Sequence, residues 1–321
     1  MVQIQRALKA TLFSAGILAQ ATQYTQTDQY DPTNFFDKVD FFTGPDPTKG
    51  FVKYVDAAKA DSSGLAGFTQ GGIYLGVDNK NPTTTGRSST RVTSKTAYTK
   101  GLFIADIPHM PAGTGPGGSC GLWPAFWMFG PNWPAGGEID IIEGVNNQAS
   151  NAVTLHTKPG CRMSNSGSLA STKLANADCT GHIGCAQETE AHNNYGAAFN
   201  AQGGGVYALE WTSDHIAVWY FARSDPMAAQ LTAPGAVPDP ATFGQPVARF
   251  EGDSCNIDEH FVSNNIVLNI DFCGEWAGQV WSSDPTCAAL APTCNQWVAE
   301  HPEAYVDAYW LINSIKVFEQ R

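Results

Sequence analysis

Residues 137–144 read GEIDIIEG, placing Glu138, Asp140 and Glu143 within six positions, among isoleucines and between glycines. The stretch reads as a strand, and a strand points successive side chains to opposite faces. Regular alternation puts Glu138 and Asp140 on one face and Glu143 on the other. A solvated edge would not be spaced by Ile139, Ile141 and Ile142, and a calcium loop would need more oxygen ligands and its own turn pattern. One extra residue near Ile141 or Ile142, a β-bulge, would return Glu143 to the face of Glu138. Three acids on one face would then have separable roles. One, held among like charges or apolar walls, can donate a proton, while another stays ionised as a nucleophile.

Similar runs recur along the chain, at 72–77, 89–94, 101–107, 123–129, 152–157, 206–211, 215–221, 266–272 and 304–318. Turn clusters such as PHMPAGTGPGGSCG and GPNWPAGG separate several of them. No stretch keeps a 3.6-residue period, no repeat is visible, and no βαβ rhythm appears. With 32 Gly and 19 Pro in 321 residues, the expectation is all-β: a β-sandwich jelly roll of two antiparallel sheets, one face of which is open to solvent. Residues 22–50 read as an extended N-terminal wrap, 224–247 as a Pro- and Ala-rich loop, and 158–205 as a long disulfide-tied loop too irregular for a buried strand.

The N-terminus carries Arg6 and Lys9, an apolar run from Ala10 to Ala19, and the ending Ala19-Gln20-Ala21. That pattern predicts a secretory signal over 1–21, a single domain over 22–321, and an extracellular location. Eight cysteines, an even number without a C-x-x-C pair, then predict disulfides, with local stapling of two long loops as the economical pairing. No N-glycosylation sequon is present, since Asn81 is followed by Pro82. A net charge of −12 offers no footprint for nucleic acid or an anionic membrane, so neither is an expected partner. A neutral carbohydrate fits, and the chain is expected to act as a monomer.

Parity within the strands exposes a polar face. Trp123 and Trp127 share one side, Thr154 and His156 share another, and Asn269 and Asp271 alternate against Leu268, Ile270 and Phe272. Flat rings stack on pyranose faces while acids and amides hold hydroxyls. A tryptophan in a β-protein is commonly core, and a lone histidine is commonly structural. Convergence favours function here, because Trp123, Trp127 and Trp133 precede the acids and His156 follows on the next strand.

With these segments in view (GLWPAFWMFG, WPAGGEIDIIEGVN, VTLHT and NIDFCGEWAG) the sequence resembles glycoside hydrolase family 16, in its laminarinase-like branch of fungal endo-1,3(4)-β-glucanases. The likeness runs from about residue 24 to the AYWLINSIKVF end. It implies a jelly roll with a concave cleft and a retaining double displacement. By motif position, Glu138 would be the nucleophile, Glu143 the general acid and base, and Asp140 a partner of the nucleophile between them. Trp123, Trp127 and Trp133 match cleft aromatics, and His156 matches a histidine near the acid/base. Asn269, Asp271 and Arg91 match further substrate-binding positions. The substrate implied is a β-1,3 or mixed-linkage β-glucan, without cofactor or catalytic metal. Two other activities of the fold, glucan transglycosylation and non-catalytic glucan binding, are disfavoured by the inserted residue and by the presence of both glutamates.

Overall fold

The computed structural model describes residues 24–163 and 172–320; the expected signal at 1–21 lies outside them. Two antiparallel sheets form the body. The larger has eight strands in the order Thr172–Asn176, Cys185–Thr189, Ala152–His156, Glu138–Glu143, Leu122–Phe129, Asn264–Phe272, Arg91–Tyr98 and Val39–Phe41. The smaller has six, in the order Tyr24–Tyr30, Ser314–Gln320, Gly101–Ile107, Gly205–Trp211, His215–Ala222 and Ala248–Glu251.

Period-two sequence explains the packing. Phe126, Met128, Ile139, Val153, Leu155, Leu268 and Ile270 from the large sheet meet Phe103, Leu209, Trp211, Val218 and Val317 from the small one in a single buried core. The outer face of the small sheet is also covered. Leu102, Ile104, Val206, Trp219 and Phe221 pack beneath Ala228 and Leu231 of the Pro226–Thr232 helix and beneath Phe243. The Pro- and Ala-rich stretch therefore buries a sheet face that would otherwise leave a large apolar patch in water. That leaves the outer face of the large sheet, the one bearing Trp, His, Asn and the acids, as the open face.

Three expectations differ from what folds. The 158–205 stretch adds two strands to the edge of the large sheet and a short helix, Gly196–Ala201. Cys185, Gln187 and Thr189 alternate inward, but two of these inward residues are polar, so no apolar period was visible. Gln187 is fully buried with its amide bonded both ways to the backbone of Arg249, joining the second strand of the large sheet to the edge strand of the small one. Second, the 22–50 wrap contains strands of both sheets, Tyr24–Tyr30 and Val39–Phe41. Third, the 304–318 run is a 3₁₀ turn, Pro302–Tyr305, followed by two strands that leave Asn313 to enter different sheets.

The cysteines pair as Cys120–Cys287, Cys161–Cys255, Cys179–Cys185 and Cys273–Cys294. Only the last two are local staples. Cys161–Cys255 spans 94 residues and Cys120–Cys287 spans 167, so the expectation of two self-contained stapled loops is corrected. Seven of the eight cysteines fall into groups of three and four, and neither arithmetic nor spacing shows which of them lie opposite in the sandwich.

Candidate active site

The bulge is present where parity required it. Along the Leu122–Phe129 strand, Glu138 faces Phe129, Asp140 faces Trp127 and Glu143 faces Ala125. Along the Ala152–His156 strand the same three face His156, Thr154 and Ala152. The partners step by two on both sides, so all three acids point to one face. The surplus residue is taken up between Asp140 and Glu143, where Ile141 and Ile142 are both buried. A bulge leaves backbone groups without ladder partners. Here the fully buried side chain of Asn151 supplies them, accepting from the Glu143 N–H at 2.9 Å and donating to the Ile141 carbonyl at 2.7 Å.

Each acid has its own surroundings. The Trp133 indole N–H donates to Glu138 Oε2 at 2.5 Å, and the Trp123 indole N–H donates to Glu143 Oε1 at 2.8 Å. His156 Nε2 lies 3.2 Å from Asp140 Oδ2 and 3.8 Å from Glu138 Oε1. The nearer contact is close in distance but lacks hydrogen-bond alignment, leaving Asp140 Oδ2 unbonded. The other ring nitrogen of His156 donates to the Gly181 carbonyl at 2.8 Å. The resemblance implies a histidine near the acid/base; the His156 charge does act on Glu143, while the acids its ring approaches most closely are Asp140 and Glu138.

Burial lifts all three carboxyls above their ordinary range. Glu143 is pushed up to about 7, the desolvation opposed in part by the Trp123 hydrogen bond and the His156 charge. Asp140 goes well above its usual value, through burial and then the charges of Glu138 and Glu143. Glu138 is also raised by burial, but His156, Trp133 and Arg91 all pull it back. For His156, burial would lower its pKa; the close approach and charge of Asp140, with the charge of Glu138, outweigh that and carry it to about 10. Three carboxyls this close cannot all ionise together. Of the three, Glu138 is the carboxyl whose rise the most neighbours oppose, and so the one drawn furthest toward ionisation.

One oxygen each from Glu138 and Asp140 and a nitrogen of His156 lie within 4.8 Å of one another, close enough to chelate a cation. The donor set fits proton sharing equally well, since His156 is drawn to its charged form, which is a poor ligand.

All ten residues singled out from the sequence line one cleft on the open face: Arg91, Trp123, Trp127, Trp133, Glu138, Asp140, Glu143, His156, Asn269 and Asp271. The Arg91 guanidinium is sandwiched 4.7 Å from the Phe42 ring and 5.1 Å from Trp127, and its Nε is without a partner. Asn269 accepts from the Trp127 indole at 2.7 Å and so sets that ring. Asp271 is turned to the protein more than to the cleft: its oxygens take the Thr48 hydroxyl at 2.9 Å and the Phe272 N–H at 2.6 Å. It holds the 46–50 turn, where a Cβ on Gly50 would meet Asp271 Oδ1 at 1.9 Å.

Sequence reading missed the rest of the wall. Trp276 packs edge-on to Trp123 at 5.7 Å and borders the cleft, and His182 and Ile183 border it near Trp133. Trp276 was findable, lying four residues after Phe272 in a strand-ending segment. His182 and Ile183 sit in the stretch taken for an irregular loop, and only the fold carries them to the cleft.

A sandwich with an open tryptophan-lined cleft and three acids on a bulged strand defines the class: a carbohydrate-active domain of the glycosidase type. Residues 39–318 match the family model described as XgeA-like, catalytic GH16 domain, and the chain belongs to glycoside hydrolase family 16. Among curated relatives, the endo-1,3(4)-β-glucanase of Arthroderma benhamiae is 43% identical over 283 residues, covering 86% of this chain and 60% of that protein. The endo-1,3(4)-β-glucanase xgeA of Emericella nidulans is 43% identical over 288 residues, covering 85% of this chain and 44% of its own length. The chain thus spans about half the length of these relatives. Laminarinase 16A from Phanerochaete chrysosporium, solved with β-glucans in donor and acceptor sites, is 36% identical with a TM-score of 0.86, covering 92% of this chain and all of that one. An elongating family 16 β-1,3-glucosyltransferase is 39% identical with a TM-score of 0.82, over the same shares.

Proposed function

We propose that this chain is a secreted, monomeric endo-acting β-glucanase that hydrolyses internal β-1,3 and/or β-1,4 bonds of β-1,3(4)-glucans by a retaining double displacement. Residues 22–321 would form the single catalytic domain, released from a signal at 1–21. The observation that carries this reading is the separation of two glutamates on one face. Burial lets Glu143 keep a proton up to about pH 7, while Glu138 is drawn toward ionisation by His156, Trp133 and Arg91. In the first step Glu138 attacks the anomeric carbon and Glu143 passes its proton to the departing glycosidic oxygen. In the second, Glu143 takes a proton from water, which attacks the glycosyl–Glu138 ester and frees the carboxylate. Asp140 and His156 hold the neighbouring charge balance while Glu138 cycles.

Trp123, Trp127, Trp133 and Trp276 suit the apolar faces of glucosyl rings, and Arg91 borders the same cleft. The curated relatives, named as endo-1,3(4)-β-glucanases, support the linkage class. The test is release of reducing sugar from laminarin, barley β-glucan and cellulose, with proton NMR of the first product anomer. Binding of laminarin without release would replace the enzyme reading with a lectin; an inverted anomer would remove the double displacement.

One observation favours a second reading, transfer to a sugar acceptor: the similar structure named as an elongating β-1,3-glucosyltransferase. Products longer than the substrate at high laminari-oligosaccharide concentration would establish transfer as the dominant outcome.

A further inference from the structure

The Cys179–Cys185 disulfide closes a short loop that leans on the catalytic cluster from the edge of the large sheet. The loop is pinned from behind. Gly181 N donates to the Thr157 carbonyl at 3.0 Å, Thr157 N donates to Cys179 O at 2.7 Å, and Asn176 donates to the Gly184 carbonyl at 2.6 Å. Its inner side touches His156 twice. The Gly181 carbonyl accepts from the ring at 2.8 Å, and a Cβ at Gly184, whose φ is +65°, would meet the ring at 2.7 Å. Its outer side presents His182, which is exposed and packs on Trp133 with ring centroids 4.7 Å apart.

These two sides lead to the two oxygens of one carboxylate. Oε1 of Glu138 is 3.8 Å from the His156 ring that the loop backbone orients, and Oε2 accepts from the Trp133 indole that His182 packs against. We propose that the Cys179–Cys185 loop is a positioning element for the Glu138 carboxylate. His182 acts through Trp133, and Gly181 and Gly184 act through His156. The proposal rests on the reading of Glu138 as the nucleophile. A carboxylate must present one oxygen to the anomeric carbon, and Trp133, exposed on a turn, has His182 as the nearer of its two aromatic-ring neighbours, at 4.7 Å against 6.5 Å for His156. Holding that plane keeps the N–H on Oε2 and thereby the rotamer of Glu138.

The test is a double-mutant cycle on laminari-oligosaccharide hydrolysis with His182→Ala, Trp133→Phe and the pair. An aromatic contact of this kind predicts that His182→Ala lowers kcat by about three- to ten-fold with KM within about two-fold, and that His182→Phe restores most of it. In the Trp133→Phe background, which has no indole N–H to hold, His182→Ala should change kcat by less than about two-fold. An undiminished fall in that background, a change confined to KM, or no fall at all would each overturn the proposal; a KM effect would make His182 a sugar contact instead. Gly184→Ala, acting through the other arm, should lower kcat in a protein whose melting shows it folded. Glu138→Gln separates the two readings. If that variant keeps activity, the nucleophile reading itself fails; if it is inactive while His182→Ala is neutral, only the loop's role is lost.

Discussion

The side-chain amide of Asn151 closes the bulge beneath Glu143, taking the Glu143 backbone N–H at 2.9 Å while giving its own N–H to Ile141, two residues earlier. Asn151 is itself held, its N–H on Asn194 Oδ1 at 3.1 Å and its carbonyl on the Thr189 hydroxyl at 3.0 Å. The face on which Glu143 stands is thus braced by a residue eight positions downstream.

Asn151→Ala should therefore leave a buried N–H and a buried carbonyl unpaired at the bulge. The expected cost is about 2–4 kcal/mol of stability, with a fall in kcat at temperatures where the variant is still folded. Thermal melting and kinetics on the same preparation check it. A large drop in melting temperature with kcat unchanged would mean that the sheet alone holds the bulge.

Glu138 and Glu143 should fail differently. Glu138→Gly should abolish hydrolysis, and azide should rescue it on an activated aryl glycoside with inversion, because the small anion takes the vacated place on one face of the sugar. Glu143→Gln should lose polymer hydrolysis by about 10²–10⁴-fold yet still form the glycosyl intermediate from a substrate whose leaving group needs no proton. Azide products of the same anomer from both variants would contradict the assignment.

The pH profile of kcat/KM should be bell-shaped. In the proposed mechanism Glu143 donates only while protonated, so the rate should fall as pH rises through about 7. Glu138 attacks only when ionised, so the rate should also fall as pH drops through its own raised value. The Trp123 indole stabilises the charged form of Glu143, so Trp123→Phe should move the alkaline limb upward, by up to about one pH unit. A downward shift would exclude Trp123 as the donor that matters.

The same burial weakens the fold near neutrality. Glu143 binds its proton more tightly in the folded chain, so its contribution is present in full below the unfolded carboxylate value of about 4.3 and is lost as pH rises through about 7. Glu143→Gln should therefore stabilise the fold at pH 7.5 more than at pH 4, by a difference on the order of 1–3 kcal/mol in unfolding free energy. Equal effects at the two pH values would show that Glu143 is not held protonated.

The sequence by itself determined the strand period, and with it the conflict at GEIDIIEG. Because alternation has a period of two, acids at 138, 140 and 143 cannot share a face without one surplus residue. The polar faces of the neighbouring strands were legible for the same reason, and they named ten residues that do line one cleft. Local pattern carries no information about what lies across the sandwich. The partners of Cys120 and Cys161, the polar inward strand at Cys185–Thr189, the Asn151 brace and the His182 contact with Trp133 all join residues that only folding brings together. The order of proton affinities belongs to that same level. It arises from how deeply each carboxyl is desolvated and which donors face it, and neither exists until the two sheets have closed on their core.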